Sequence, residues 1–167
     1  MKLNKLLQSA LMAGIIALGA FMSFPLTMGV PFTMQIFFIF ISVFLLEPFY
    51  SFLSVFLYLF LGIAGIPVFS GGSPGIGMFF GPTGGFLAGF LIFPIFCSIF
   101  KTKNKLILTA AFILFYVTGI CWMAYTLEIS VYKAFNAVMI FIPLDMVKLT
   151  AAYYFSKKIK ESISIFK

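Results

Sequence analysis

Residues 66–90 read IPVFSGGSPGIGMFFGPTGGFLAGF, and the long apolar runs of the chain lie on either side of them. Here glycine and proline break the hydrophobicity without adding charge. Gly71, Gly72, Ser73 and Pro74 end any helix, since interior glycine costs about 1 kcal/mol and interior proline about 3. GPTGG at residues 81–85 then leads straight into another apolar run. Backbone of this kind between two membrane spans is tolerated where protein buries it or where it faces water. Its free N–H and C=O groups make it a candidate cap over a ligand. The alternative is an ordinary outer loop followed by a glycine-packed helix.

Composition explains why spans are the right unit. The 167 residues are 63% hydrophobic and 9% charged, with a mean hydropathy of +1.18. No water-soluble domain of this size covers so much apolar side chain, so the chain reads as an integral membrane protein. The runs are long and lack the period of two that an outer-membrane barrel requires. Eleven lysines against four acids give a net charge of +7. In a soluble protein that excess points to nucleic acid, but here membrane topology accounts for it and no nucleic-acid partner is expected. There is no arginine or histidine, and Cys97 and Cys121 lack ligand-like spacing, so neither a metal site nor a disulfide framework is indicated.

Taken in order, residues 1–167 form one domain of six predicted spans, at about 6–24, 32–46, 49–64, 82–100, 106–125 and 134–155. The basic start, Lys2 and Lys5, also suits a signal peptide, but the spans that follow favour a retained helix. That helix carries two small-residue rows, Ala10–Gly14–Leu18 and Ala13–Ala17–Phe21, of the kind that let helices approach closely in lipid. Pro25 and Pro31 interrupt the outer turn, and Thr33 and Gln35 begin the second span. Gln35 faces either a cavity or interfacial water. Glu47-Pro48 makes a minimal turn. Gly77, Gly81, Gly85 and Gly89, each four apart, form one continuous stripe if a single helix includes them all, and Pro94 is placed to kink the inner half of that span.

The lysines test this count. With the N-terminus inside, Lys2, Lys5, Lys101, Lys103, Lys105, Lys157, Lys158, Lys160 and Lys167 fall on the cytoplasmic side and Lys133 falls outside. That is the bias of the positive-inside rule, and losing one span would destroy it. Both termini are therefore expected in the cytoplasm of an all-α, multi-pass protein. Tyr125 at an outer end and Tyr153 and Tyr154 at an inner end suit interfacial belts.

Asp145 and Lys148 remain, about midway along the sixth span in FIPLDMVKL. At i and i+3 they share a helix face and can pair. A lone charge near the bilayer centre costs about 2.5–3.5 kcal/mol on insertion scales, so such residues usually mark a site, although a structural ion pair is the other reading. Pro143 frees a backbone carbonyl and can bend the helix there.

VPFTMQ (30–35), IPVFSGG (66–72), GPTGGFLAGF (81–90) and PLDMVK (143–148) together resemble the recurring motifs of the BioY family, in order and over nearly the whole chain. These are the biotin-specific, substrate-binding S components of energy-coupling factor vitamin transporters. The resemblance implies a six-helix fold in a prokaryotic plasma membrane, with biotin in a pocket near the outer face beneath the loops after the first and third helices. Asp145 and Lys148, which match the family's P-G-D-x-x-K motif, would contact it. Thr33, Gln35, Gly71, Gly72, Ser73, Thr83 and Gly84 are the remaining candidate contacts, and Ala13 and Ala17 match where S components meet a transmembrane coupling subunit. Two departures stand out: Leu144 replaces a glycine, and Glu47-Pro48-Phe49-Tyr50 replaces a basic turn. Without arginine, a ligand carboxylate is held by Lys148 and loop amides, not by a bidentate clamp.

The resemblance implies no covalently bound cofactor and no catalytic residue. The chain has no glycine-rich GK[ST] phosphate loop, so ATP hydrolysis is expected on two separate ATP-binding subunits. A passive channel would need a continuous polar lining, and a membrane enzyme would need an acid–base or nucleophile set. An S component for a different small vitamin is the nearer alternative. The topology predicts that a cysteine introduced at Lys103 is labelled by an impermeant reagent from the cytoplasmic side alone, and one at Glu128 from outside alone. Labelling of both from one side contradicts six spans.

Overall fold

The computed structural model describes residues 2–27, 30–100 and 104–165. Lys101, Lys103 and Lys167, which carry part of the charge asymmetry, lie outside the described residues. The chain is mostly helical. It begins with α1 (Lys2–Phe21), continues through a hairpin of β1 (Ser23–Thr27) and β2 (Val30–Thr33), and enters α2 (Gln35–Leu45) and α3 (Pro48–Ile63). After a 3-10 turn at Ser70–Gly72 come three short helices, α4 (Gly77–Phe80), α5 (Gly84–Gly89) and α6 (Ile92–Ile99). The long α7 (Lys105–Thr126), the short α8 (Val131–Val138) and α9 (Phe141–Ile165) complete it. Among the described residues two helices are long and apolar enough to cross a membrane, in α1 and α7, and α8 with α9 forms a third candidate, bent by 48°.

The breaks follow from local chemistry. Proline disfavours helical backbone in the residue before it, and Glu47 is extended (ψ 151°) while Pro48 opens α3, where its missing N–H costs nothing. Asn104 caps α7 by accepting from the Leu106 N–H at 3.1 Å. Between α8 and α9 the cause is Pro143, which has no N–H to give the Met139 carbonyl. The Ile142 N–H bonds that carbonyl instead, at 3.3 Å, and the axis bends just before the proline. Pro94 stands in the same relation to the interruption at residues 90–91 between α5 and α6.

Two expectations are corrected. The turn after the first helix is a paired antiparallel hairpin, with Ser23 opposite Thr33 and Phe24 opposite Phe32, so helix in the second predicted span begins at Gln35 and not at residue 32. Four residues of the glycine stripe do not share one helix. Gly81 is extended (ψ 176°) and ends α4. A Cβ at Gly77 would meet nothing within 4 Å, whereas at Gly85 it would lie 2.4 Å from the Trp122 Cβ, and at Gly89 2.9 Å from the Phe115 ring. Gly119 of α7 reciprocates, since its Cβ would lie 2.2 Å from the Phe86 ring. Glycines on both helices thus set the close α5–α7 approach.

On α1 the two small-residue rows differ in burial. Ala13 and Ala17 are buried inside the fold, on the face with Ser9, Met12, Ile16 and Ala20 that packs against α2 and α3. The Ser9 hydroxyl donates to the Tyr50 carbonyl of α3 at 3.0 Å, a contact that requires small neighbours. The other row, Ala10, Gly14 and Leu18, is exposed beside Leu7 and Leu11. At the same end of the helix Lys5 pairs with Glu47 and lies 5.6 Å from the Tyr50 ring, so the acidic turn ties α1 to the α2–α3 junction.

The packing separates glycines that matter from those that do not. Gly85→Leu is expected to destabilise the protein by about 1–3 kcal/mol or more through overpacking against Trp122. Gly14→Leu, where an added Cβ meets nothing within 4 Å, should melt with the parent in detergent. Equal melting of both variants contradicts this account of the α5–α7 contact.

Candidate functional site

Two polar clusters face one cavity from different elements. The first is built on α9. Asp145 and Lys148, one helical turn apart, are 6% and 7% exposed. The Lys148 Nζ donates to Asp145 Oδ1 at 2.8 Å. It also donates to the Thr33 carbonyl of β2 at 2.7 Å and lies 3.8 Å from the centroid of the Phe32 ring. From α7, the Tyr116 hydroxyl donates to Asp145 Oδ2 at 2.7 Å. Burying either charge alone would be costly, and the arrangement meets the need twice over: opposite charges are paired and each receives further polar contacts.

The second cluster surrounds Gln35 at the start of α2, which is 2% exposed. Its Oε1 accepts from the Thr33 hydroxyl at 2.8 Å and from the Ser70 hydroxyl at 3.2 Å. Its Nε2 donates to the Tyr58 hydroxyl of α3. Both lone pairs of the amide oxygen are thereby used, and one amide N–H remains to be offered. Gln35 therefore faces a cavity and not the interface.

Between the clusters lies an open cleft, about 630 Å³ counting its mouth. Thr33, Gln35, Ser70, Thr83, Asp145 and Lys148 supply its polar groups, and Ile36, Phe69, Phe86, Phe90, Phe115 and Phe141 much of its apolar wall. The aromatic wall is interlocked, with Phe86 and Phe115 edge to face at 5.4 Å and Phe90 stacked on Phe115 at 5.7 Å. Such a cleft suits a small molecule with an apolar body and polar groups at separate points. Asp145 retains acceptor capacity for ligand N–H groups, since a carboxylate has about four lone-pair sites and two contacts are taken.

The structure brings Thr33, Gln35, Thr83, Asp145 and Lys148 together as cavity-lining residues. Gly71, Gly72, Ser73 and Gly84 lie outside the lining. Gly71 and Gly72 hold left-handed backbone (φ 66° and 75°) in a turn closed by the Phe69 N–H to the Ser73 carbonyl at 3.1 Å. That turn presents Phe69 and Ser70 to the cavity instead. Gly84 is a packing residue, where a Cβ would lie 1.8 Å from the Phe79 carbonyl oxygen. Tyr116, Tyr58, Ser70 and Phe32 were not anticipated. A tyrosine in mid-span, far from either interface, has to find a partner for its hydroxyl, and that signal was present at both Tyr58 and Tyr116. Among the described residues no group of three or more His, Cys, Asp or Glu side chains could hold a metal ion. α9 is helical through Leu144, where the resemblance leads one to expect glycine.

The sequence profile of the BioY family matches residues 1–165. The chain belongs to the BioY family. It is 30% identical over 170 residues to the biotin transporter BioY of Thermotoga maritima, covering 95% of this chain and 97% of that one. It is 32% identical over 163 residues to the probable biotin transporter BioY of Pyrococcus horikoshii, covering 96% and 98%. Among solved structures it resembles an S-component for biotin from an ECF-type ABC transporter, with a TM-score of 0.84, 25% identity, and 96% and 92% of the two chains covered. The overall fold is thus shared with that S-component.

Proposed function

We propose that this chain is the biotin-binding S component of an energy-coupling factor transporter in a prokaryotic plasma membrane. The observation that carries the reading is the buried Asp145–Lys148 pair opening into a cleft that Gln35 also lines, in a chain whose relatives are named biotin transporters. Biotin has an apolar ring sulfur and tail, a ureido group with donors and acceptors, and a carboxylate. Asp145 accepts ureido N–H groups, and Lys148 donates to a ureido or carboxylate oxygen. Thr33, Gln35, Ser70 and Thr83 supply the neutral contacts, and the aromatic wall takes the apolar body.

In this reading the chain crosses the membrane six times with both termini in the cytoplasm. α1, α3 and α7 are single crossings. The hairpin with α2, the α4–α6 series and the α8–α9 pair are the composite ones, with the cleft toward the outer face. Inward release is driven by a transmembrane coupling subunit and two ATP-binding subunits. The exposed Ala10–Gly14–Leu18 row of α1 supplies the docking surface for the coupling subunit, in place of the buried Ala13 and Ala17.

Asp145→Asn and Lys148→Met, each assayed on protein that purifies folded, are expected to lose roughly 2 kcal/mol of biotin affinity, or about 30-fold, the order of a hydrogen bond to a charged group. Parent-like binding by both would leave the pair a structural one. Gly14→Trp should retain biotin binding and lose uptake with the partner subunits, whereas Ala13→Trp should lose the folded protein. Full uptake by Gly14→Trp excludes the exposed row as the docking surface.

A further inference from the structure

A second cavity lies on the flank of the bundle, a groove between α1, α2 and α9 whose walls include Met12 and Ile15, Phe37 and Leu45, and Ala151 and Phe155. Its rim is exposed at Ile15, Val147, Phe155 and Ile159. Among the described residues Lys148 is the only charged one in its lining, and that ammonium is already held by Asp145 and the Thr33 carbonyl. The α9 wall runs from Lys148 to Ile159, about 16 Å at 1.5 Å per residue. That matches the roughly 15 Å of hydrocarbon in one bilayer leaflet. Charge collects at one end. Lys158, one turn beyond Phe155 on the same stripe of α9, is exposed, as is Lys160. Glu161, the acid of that turn, pairs with Lys157 at 3.9 Å, and Lys5 of α1 pairs with Glu47. Lys158 and Lys160 are thus in surplus there. Gln8, one turn before Met12 on α1, adds an exposed amide.

We propose that this groove binds an anionic phospholipid, with one acyl chain along α9, the phosphate at Lys158 and Lys160, and Gln8 as a neutral donor. The site rests on the membrane placement proposed above and not on what occupies the cleft. An apolar slot one leaflet deep, with cations at one end, is the complement of an amphiphile with an anionic head. Lysine stems are long enough to lie along the apolar wall while their ammonium groups reach the phosphate layer. A second copy of the chain fits less well. Two copies inserted the same way up would meet through the same patch, which sets Lys158 and Lys160 against like charges. The charge at the groove's end therefore selects the lipid.

The test uses the full chain with Cys121→Ser, carrying a bimane fluorophore at Phe155→Cys or Ile15→Cys on the groove, or at Phe56→Cys on the exposed face of α3 as the control. Cys97 is buried and stays unlabelled. Each protein is reconstituted in phosphatidylcholine vesicles containing doxyl-labelled phosphatidylglycerol or doxyl-labelled phosphatidylcholine at equal mole fraction. At both groove positions phosphatidylglycerol should be favoured as quencher by about fivefold or more, the order of one lysine beside an anionic lipid. Phe56→Cys should show no such preference. Lys158→Gln/Lys160→Gln should abolish the preference while melting with the parent, and Ala151→Phe, which fills the groove, should weaken it with the lysines intact. Equal quenching by the two lipids at the groove overturns the proposal, as does a preference that survives loss of both lysines or is matched at Phe56→Cys. Quenching at Phe56→Cys alone would show that protein, such as a second copy, covers the groove, and overturns it too. Quenching at none of the three positions would refute the membrane placement, and the lipid site with it.

Discussion

A lysine and an aspartate buried in the middle of a membrane bundle constrain everything around them. Neither is tolerable alone in so apolar a setting, and pairing them leaves donors and acceptors that still need partners. The structure supplies these from two sides: Tyr116 from α7, and the Thr33 carbonyl with the Phe32 ring beside it from the hairpin. Each partner fixes an element. Tyr116 brings α7 within hydrogen-bond reach of α9, and the hairpin reaches Lys148 through Thr33. Local chemistry permits both, because Pro143 breaks the α8–α9 axis and Gly85, Gly89 and Gly119 let α5 and α7 approach closely.

The same constraint explains why several helices are short. α2 has 11 residues, about 16 Å of helix, roughly half the thickness of a bilayer core. Extended hairpin backbone continues it. Non-helical backbone in so apolar a fold is sustained where protein buries it, and here β1 pairs with β2 while Lys148 takes the Thr33 carbonyl. Gln35, at the junction of hairpin and helix, is satisfied by Thr33, Ser70 and Tyr58, so the polar groups that shape the cleft also hold its walls.

Much of this was legible in the sequence, and the parts that were not have physical causes. Asp145 and Lys148 announced themselves because charge is rare in an apolar run and their spacing permits pairing. Gln35 stood out as a polar side chain at the start of an apolar run, and Thr33 came with it in VPFTMQ. The hairpin did not, since VPFT carries no period long enough to tell a strand from the start of a span. Small-residue rows reveal close packing but not which side packs: Ala13–Ala17 and Ala10–Gly14 are equivalent by spacing, and Ser9 on the Tyr50 carbonyl decides that the first row faces inward. Gly71 and Gly72 were read as ligand contacts because they are polar backbone, whereas their positive φ makes them the turn that delivers Phe69 and Ser70. Tyr116 was hidden among aromatics that serve only as wall.

The account stands most directly on what occupies the cleft. Equilibrium binding of a panel of small vitamins to the purified chain, without partner subunits, measures it. The prediction is one saturable biotin site per chain that the other vitamins do not compete for. Saturable binding of a different vitamin with none of biotin would contradict it.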